Sequence, residues 1–110
     1  MEDMTTSITP ISLTLPESAI VQVAYGATAV NGLDSDGQAI TVRLSGATTR
    51  TPTAQDYSYH QGNKKSTISN QFTVIVNAGT TLFTMQHLRE GSGTVNTTNP
   101  WMEVTPIRWA

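Results

Sequence analysis

The sequence predicts an all-β domain, and three observations carry this prediction. The 110 residues include 19 threonines but only 13% charged residues, about half the usual ~25%. Threonine is β-branched and suits a half-exposed pleated strand, where its methyl group packs and its hydroxyl meets water. Short alternating apolar runs recur at intervals of roughly 8–14 residues, separated by glycine, proline and asparagine turn signals. This spacing predicts a single sandwich or barrel of about eight strands rather than alternating strands and helices.

The first segment is predicted to divide into an arm and a strand. Residues 1–7 are small or polar, so we expect a flexible N-terminal arm, followed by a folded domain over residues 8–110. The run Ile8–Leu15 alternates between two faces and predicts a strand. Pro10 cannot donate a backbone hydrogen bond, which places this strand at the edge of a sheet or marks its start.

The middle of the chain contains the clearest strand pattern. Residues 39–45 alternate, and we expect Thr41, Arg43 and Ser45 to face solvent while the inward face holds Ile40, Val42 and Leu44. The run 19–25 is apolar almost throughout, which predicts a strand that is covered on one or both faces.

Further strands are predicted on either side of several turns. Asn31-Gly32 and Asp36-Gly37 favour the positive φ of tight turns. Residues 55–60 could pair weakly, and residues 71–76 should form a strand. The last third is predicted to hold three strands with two turns, over residues 80–89, 94–98 and 101–107.

Motifs that carry chemistry are not evident in the sequence. There is no cysteine, and neither His60 nor His87 has an acidic residue or histidine at the spacing of a metal site. Asp34-Ser-Asp36-Gly37 begins like a calcium loop, but the required later glycine and glutamate are missing. No nucleophile elbow, phosphate-binding loop or dinucleotide fingerprint occurs. We therefore expect no enzymatic activity, no metal and no cofactor.

Charge and hydropathy exclude other classes of function. The net charge of −2 provides no electrostatic footprint for nucleic acid or an anionic membrane. No run approaches the ~18 apolar residues of a membrane span. The first residues lack the basic and apolar regions of a secretory signal, so we expect a protein made in a cytoplasm.

The C-terminal residues carry a family resemblance. Ala78-Gly-Thr-Thr-Leu-Phe-Thr-Met-Gln-His-Leu88, Gly93-Thr-Val-Asn96 and Met102-Glu-Val-Thr-Pro-Ile-Arg-Trp109 resemble the end of phage virion domains whose jelly roll is like that of tumour necrosis factor and complement globular heads. The resemblance covers about the last thirty residues. It implies an antiparallel jelly-roll sandwich of about eight strands that assembles as a trimer. The chain departs from the family pattern at Met85, Leu88 and Glu103.

What the resemblance implies for function is a structural role in a bacteriophage. We expect a trimeric capsid decoration, or cement, protein that stabilises the head, binds the major capsid protein and lies on the virion surface after synthesis in the bacterial cytoplasm. The alternative is the receptor- or glycan-binding head of a tail or head fibre, with a host-surface glycan as ligand. A fibre head normally follows a long shaft, whereas this sequence begins with a short arm. A carbohydrate-active enzyme, a third possibility, would require a carboxylate pair that is not evident.

Two sets of residues are predicted to make contacts within the virion. Near the threefold axis we expect the large, mostly apolar strand face of Phe83, Met85 and His87. Trp109 is predicted to lie in a subunit contact, with core packing as the alternative. The arm and first strand are predicted to anchor the protein to the capsid or to a neighbouring subunit by adding to an exposed sheet edge, through Ile8, Ile11, Leu13 and Leu15. The competing interpretation is that residues 8–15 form the first strand of the chain's own sheet.

Overall fold

The computed structural model describes residues 2–4, 8–91, 93 and 95–110, which form eight strands and one short 3₁₀ turn. The strands make two antiparallel sheets of five and three strands, which confirms the predicted all-β fold. The strands are β1 (Glu2–Asp3), β2 (Ile11–Leu15), β3 (Ala19–Asn31), β4 (Gly37–Gly46), β5 (Ser58–Gln61), β6 (Ser66–Val76), β7 (Gly79–Glu90) and β8 (Val95–Trp109), and the 3₁₀ turn spans Ala54–Asp56.

Along most of the chain, successive strands belong alternately to the two sheets. In the five-stranded sheet β4 lies between β7 and β5, and the other edge of β7 pairs with β1 and β2. In the three-stranded sheet β3 lies between β6 and β8. The connections β2–β3, β3–β4, β5–β6, β6–β7 and β7–β8 each pass from one sheet to the other. This arrangement is consistent with a jelly roll.

The core lies between the two sheets and follows the alternation of the strands. Inward side chains of β3 and β4 are fully buried because successive residues of a strand point to opposite faces. Each such large side chain contributes roughly 1.5–3 kcal/mol of stability. The fully buried members include Val21, Val23, Tyr25, Ile40, Val42 and Leu44. The predicted inward face of residues 39–45 is therefore confirmed.

Thr41 is buried rather than exposed as predicted, and it bonds to a segment that runs beside the edge of β4, where Arg50 pairs with Leu44. Its side chain is fully buried, and its Oγ1 donates to the carbonyl oxygen of Asp56 at 3.2 Å. Tyr25 Oη donates to the same oxygen. The Asp56 carboxylate accepts hydrogen bonds from Arg50 Nη2 at 2.7 Å and from the backbone of Thr53 at 3.1 Å. The segment around the 3₁₀ turn is thus held against the edge of β4.

Residues 2–4 differ from the expected flexible arm. Glu2 and Asp3 pair with His87 and Gln86 of β7, and the Met4 amide donates to the Met85 carbonyl oxygen at 2.8 Å. The side chain of Met4 is only 8% exposed and belongs to the core, although we expected nothing in this segment to be buried. Residues 1 and 5–7 of the predicted arm lie outside the described residues.

Strand β8 is continuous where two strands and a turn are predicted. Asn99, with φ of 51°, lies within it. Between the pairs Gly26–Trp101 and Thr28–Thr98, two residues of β8, Asn99 and Pro100, lie opposite the single residue Ala27 of β3. Asparagine tolerates a left-handed backbone, which can end a strand at a turn or insert a bulge. Here β3 continues alongside, so the chain bulges instead of reversing.

Candidate functional site

Phe83 and Met85 occupy the chain's own core rather than an exposed face. Their side chains are 0% and 1% exposed, and both pack between the two sheets. A fully buried side chain offers no surface to a second subunit. This differs from their predicted place at a threefold axis and follows from the second sheet, which covers the inward face of β7.

His87, the third residue of that predicted set, lies beside β1. It is half-buried, and its Nε2 has no hydrogen-bond partner among the described residues. Burial lowers the pKa of its imidazole, the Glu2 carboxylate acts in the opposite direction, and Arg89 lowers it further. His87 lines a polar cleft of about 290 Å³ together with Glu2, Asp3, Met4, Val95, Asn96 and Thr97.

The Asp3 side chain links β1 to the strands β7 and β4. Its carboxylate accepts from Gln86 Nε2 at 2.9 Å and from Arg43 Nη2 at 3.0 Å. The hydrogen bond from Gln86, with a smaller contribution from Arg43, lowers the pKa of this carboxyl despite its partial desolvation. The short strand is therefore held by one charged side chain, the Met4 amide and the buried Met4 side chain.

The residues considered for metal binding do not converge. Asp34 Oδ1 accepts from the Asn63 amide at 3.4 Å, whereas the buried Asp36 carboxylate faces Gly91 and Gly93. His60 Nε2 lies 2.7 Å from the Lys64 carbonyl oxygen. Within the described ranges, no group of three or more histidine, cysteine or acidic side chains is placed to hold a metal ion.

The predicted anchoring strand is the edge strand of the chain's own five-stranded sheet. β2 pairs with β7 from Ile11 opposite Phe83 to Leu15 opposite Gly79. Leu15 is buried, and Ile8, Ile11 and Leu13 pack against the core. This placement corresponds to the competing interpretation of residues 8–15, although β1 joins the same edge of β7.

Large apolar side chains are exposed at one end of the three-stranded sheet. We define the apolar patch as Ile107 and Trp109, which are 50% and 56% exposed and line the same cleft. Ile75, which is 58% exposed, lies apart from the patch, because its row Ile75–Ile20–Arg108 faces outward whereas Trp109 pairs with the buried Ala19. A clustered group of exposed apolar residues is typical of an interaction surface. Of the predicted interface residues, Trp109 is the one that lies in such a place.

Trp101 lies on the outer face of the same sheet, several residues from the apolar patch, and the sequence does not single it out. A Cβ atom on Gly26 would lie 2.6 Å from its Nε1 and 2.8 Å from its Cε2. The indole therefore rests over the glycine, yet it remains 39% exposed. On the same face of β8, Glu103 follows it. The pairing of Trp101 with Gly26 depends on the register of β8, which the sequence does not reveal.

Fold and topology together define an all-β sandwich of two antiparallel sheets. None of the helical residues in the described ranges forms a segment long and apolar enough to cross a membrane. No protein-family model matches the sequence, and no curated protein matches it.

The fold is similar to that of a solved structure. The chain is similar to Eiger TNF from S. frugiperda, with a TM-score of 0.61 and 7% sequence identity. The match covers 90% of this chain and 66% of that chain. At this identity the likeness establishes a TNF-like fold and nothing further, and it agrees with the jelly roll that the C-terminal residues predict.

Proposed function

We propose that this chain is a structural virion protein of a bacteriophage, a trimeric decoration protein that binds the capsid surface and stabilises the head. The proposal joins the TNF-like fold to the resemblance of residues 78–109 to phage virion domains. The observation that carries it is the apolar patch, because a chain with few charges exposes Ile107 and Trp109 beside one cleft.

The patch explains how subunits could associate. Trp109 and Ile107 line a cleft of about 210 Å³ with Ala19, Pro106 and Arg108, and such a cleft can receive a side chain of a neighbour. Removing apolar surface from water contributes about 25 cal/mol per Å². Aromatic residues in well-packed interface centres frequently dominate binding energy. We therefore assign Trp109 to the subunit contact and leave Phe83 and Met85 to the core.

Attachment to the capsid would use several weak contacts at once. Three subunits present three copies of each contact, so modest individual affinities become strong attachment through effective concentration. The edge formed by β1 and β2 is one candidate contact, because its outer backbone groups can pair with a strand of another protein. The protein's polar, nearly neutral surface fits binding to another protein better than binding to packaged nucleic acid.

The direct test is cosedimentation of the purified protein with capsids that lack a decoration protein. We expect saturable binding in multiples of three copies and a higher temperature of capsid disruption. Trp109→Ala should weaken binding with the fold intact, whereas Lys65→Gln, an exposed change at the opposite end of the sheet, should not. Binding to host cells without any binding to capsids would favour a fibre head instead.

A further inference from the structure

The outer face of the three-stranded sheet has an unusual distribution of side-chain size. Pairing of β6, β3 and β8 aligns Ser69, Gly26 and Trp101 in one row, and Gln71, Ala24 and Glu103 in the next. The central strand thus contributes only a glycine and an alanine here, while both outer strands carry longer groups. The result is a shallow trough whose floor is Ala24 and whose end wall is the indole.

The side groups around this trough have free hydrogen-bonding capacity. Gln71 Oε1 accepts from Gln22 Nε2 at 2.9 Å, which leaves the Gln71 amide nitrogen available to donate. The ion pairs of the described residues join Arg43 to Asp3 and Arg50 to Asp56, so the exposed Glu103 carboxylate has no cation there. The strands carrying Gln71 and Glu103 are about 10 Å apart, two strand spacings, which admits a single sugar ring.

The few ionisable side chains on this face favour some classes of ligand over others. The outward residues of β6, β3 and β8 from the Ile75–Ile20–Arg108 row to the Thr67–Thr28–Thr98 row include two ionisable groups, Glu103 and Arg108, of opposite sign. Such a face lacks the positive charge that nucleic acids and acidic polysaccharides require. Hydroxyl, amide and carboxylate groups beside an exposed indole instead suit a neutral ligand with one apolar face and a rim of hydroxyls.

We propose that the trough bounded by Trp101, Gln71 and Glu103 binds a neutral pyranose of a surface glycan. The apolar face of the sugar packs on the indole, the Glu103 carboxylate accepts from two hydroxyls, and the Gln71 amide donates to a third. Gly26 supports this role because any larger residue would displace the indole. The site goes beyond the structural role proposed above and depends on neither the trimer nor capsid attachment.

The test follows the two tryptophan indole N–H resonances of the isotope-labelled protein during titration with methyl glycosides of glucose, galactose, mannose and N-acetylglucosamine. Trp109→Phe assigns the two signals. We expect at least one glycoside to shift the Trp101 signal saturably, with a dissociation constant in the millimolar range expected of a shallow site, while the Trp109 signal stays unmoved. Methyl glucuronide should bind more weakly because its carboxylate faces Glu103.

Variants separate binding from folding. Glu103→Gln and Gln71→Ala should each weaken binding, by about tenfold for the lost charge-assisted bond of Glu103. Arg108→Gln, the matched charge change at the far end of the face, should leave it unchanged. The proposal is overturned if no glycoside moves the Trp101 signal, if both indoles move equally, or if Glu103→Gln and Gln71→Ala bind normally. Binding retained by a Trp109→Ala protein that no longer self-associates shows that this site stands apart from the subunit contact.

Discussion

The indole of Trp101 lies over the Cα of Gly26 on the adjacent strand, and the carbonyl oxygen of Ile68 approaches the same position from the other side. A Cβ at residue 26 would meet that backbone oxygen at 2.8 Å as well as the indole. Because the Ile68 carbonyl belongs to the sheet and cannot swing away, we expect Gly26→Ala to destabilise the fold by about 1–3 kcal/mol, the usual cost of overpacking.

Urea unfolding measures this loss. Ala24→Ser is the control, since it adds one atom to the same face of the same strand where the trough is open. Gly26→Ala should also alter the emission of Trp101. Equal stability of Gly26→Ala and the unchanged protein would contradict the close approach of Trp101 and Gly26.

The attachment of residues 50–56 to the edge of β4 predicts a large effect of substitution at Asp56. This carboxylate is 7% exposed and receives bonds from Arg50 and Thr53. Asp56→Ala leaves the Arg50 guanidinium, which lies 4.7 Å from the centre of the Phe72 ring, without its anion. We expect a loss of about 2–4 kcal/mol in thermal or urea unfolding, below the full cost of breaking a buried pair because Arg50 is partly exposed. Glu17→Ala, at an exposed position, should change stability by less than about 0.5 kcal/mol.

Acid should release β1 from β7. The ordinary pKa values of His87 and Asp3 are 6.5 and 3.8, and both are lowered in the folded chain. Proton uptake therefore favours the released or unfolded state. The His87 contribution is complete above pH 6.5 and declines as the pH falls towards its folded pKa, and the Asp3 contribution declines below pH 3.8.

Amide hydrogen exchange at Met4 checks this prediction, because its N–H bonds to the Met85 carbonyl oxygen. We expect its protection factor to fall as the pH drops from 6.5 to about 5, before global unfolding. His87→Gln should remove this step, whereas His60→Gln should retain it. Protection that stays constant in the unchanged protein over this range would rule out the coupling of His87 to β1.

Core and contact residues should respond differently to truncation. Phe83→Ala should cost about 3–5 kcal/mol of unfolding free energy, because the side chain is fully buried in the chain itself. Trp109→Ala, at a side chain that is 56% exposed, should change the unfolding midpoint little at low concentration but reduce self-association. Comparing unfolding at several protein concentrations distinguishes the two effects. Equal, concentration-independent losses would place Trp109 in the core.

Strand position and orientation could be predicted from the sequence where one face is buried and the other is solvated. Residues 39–45 illustrate this, since Ile40, Val42 and Leu44 lie inward as their alternation indicates. Thr41 could not be predicted, because its burial comes from a segment of chain more than ten residues later. Alternation describes one strand and contains no information about what covers its other face.

Two other features could not be predicted from the sequence: the register of the strands, and whether an apolar strand face is covered by the same chain or by a neighbour. Phe83 and Met85 read correctly as an apolar face, but periodicity cannot say whether the covering layer is the same chain or a neighbour. The dipeptide Asn99-Pro100 is equally compatible with a turn and with a bulge. The chain bulges there because β3 continues beside it. The trough at Trp101 arises from cross-strand pairing with Gly26, which lies 75 positions earlier in the sequence.

Sedimentation equilibrium of the purified protein at micromolar concentration tests the proposed trimer most directly. We predict a mass of three times the 11.8 kDa chain, falling towards one chain for Trp109→Ala and remaining unchanged for Lys65→Gln, at the opposite end of the sheet. A single species of 11.8 kDa across the micromolar range would contradict the trimer and, with it, the decoration role proposed for this fold.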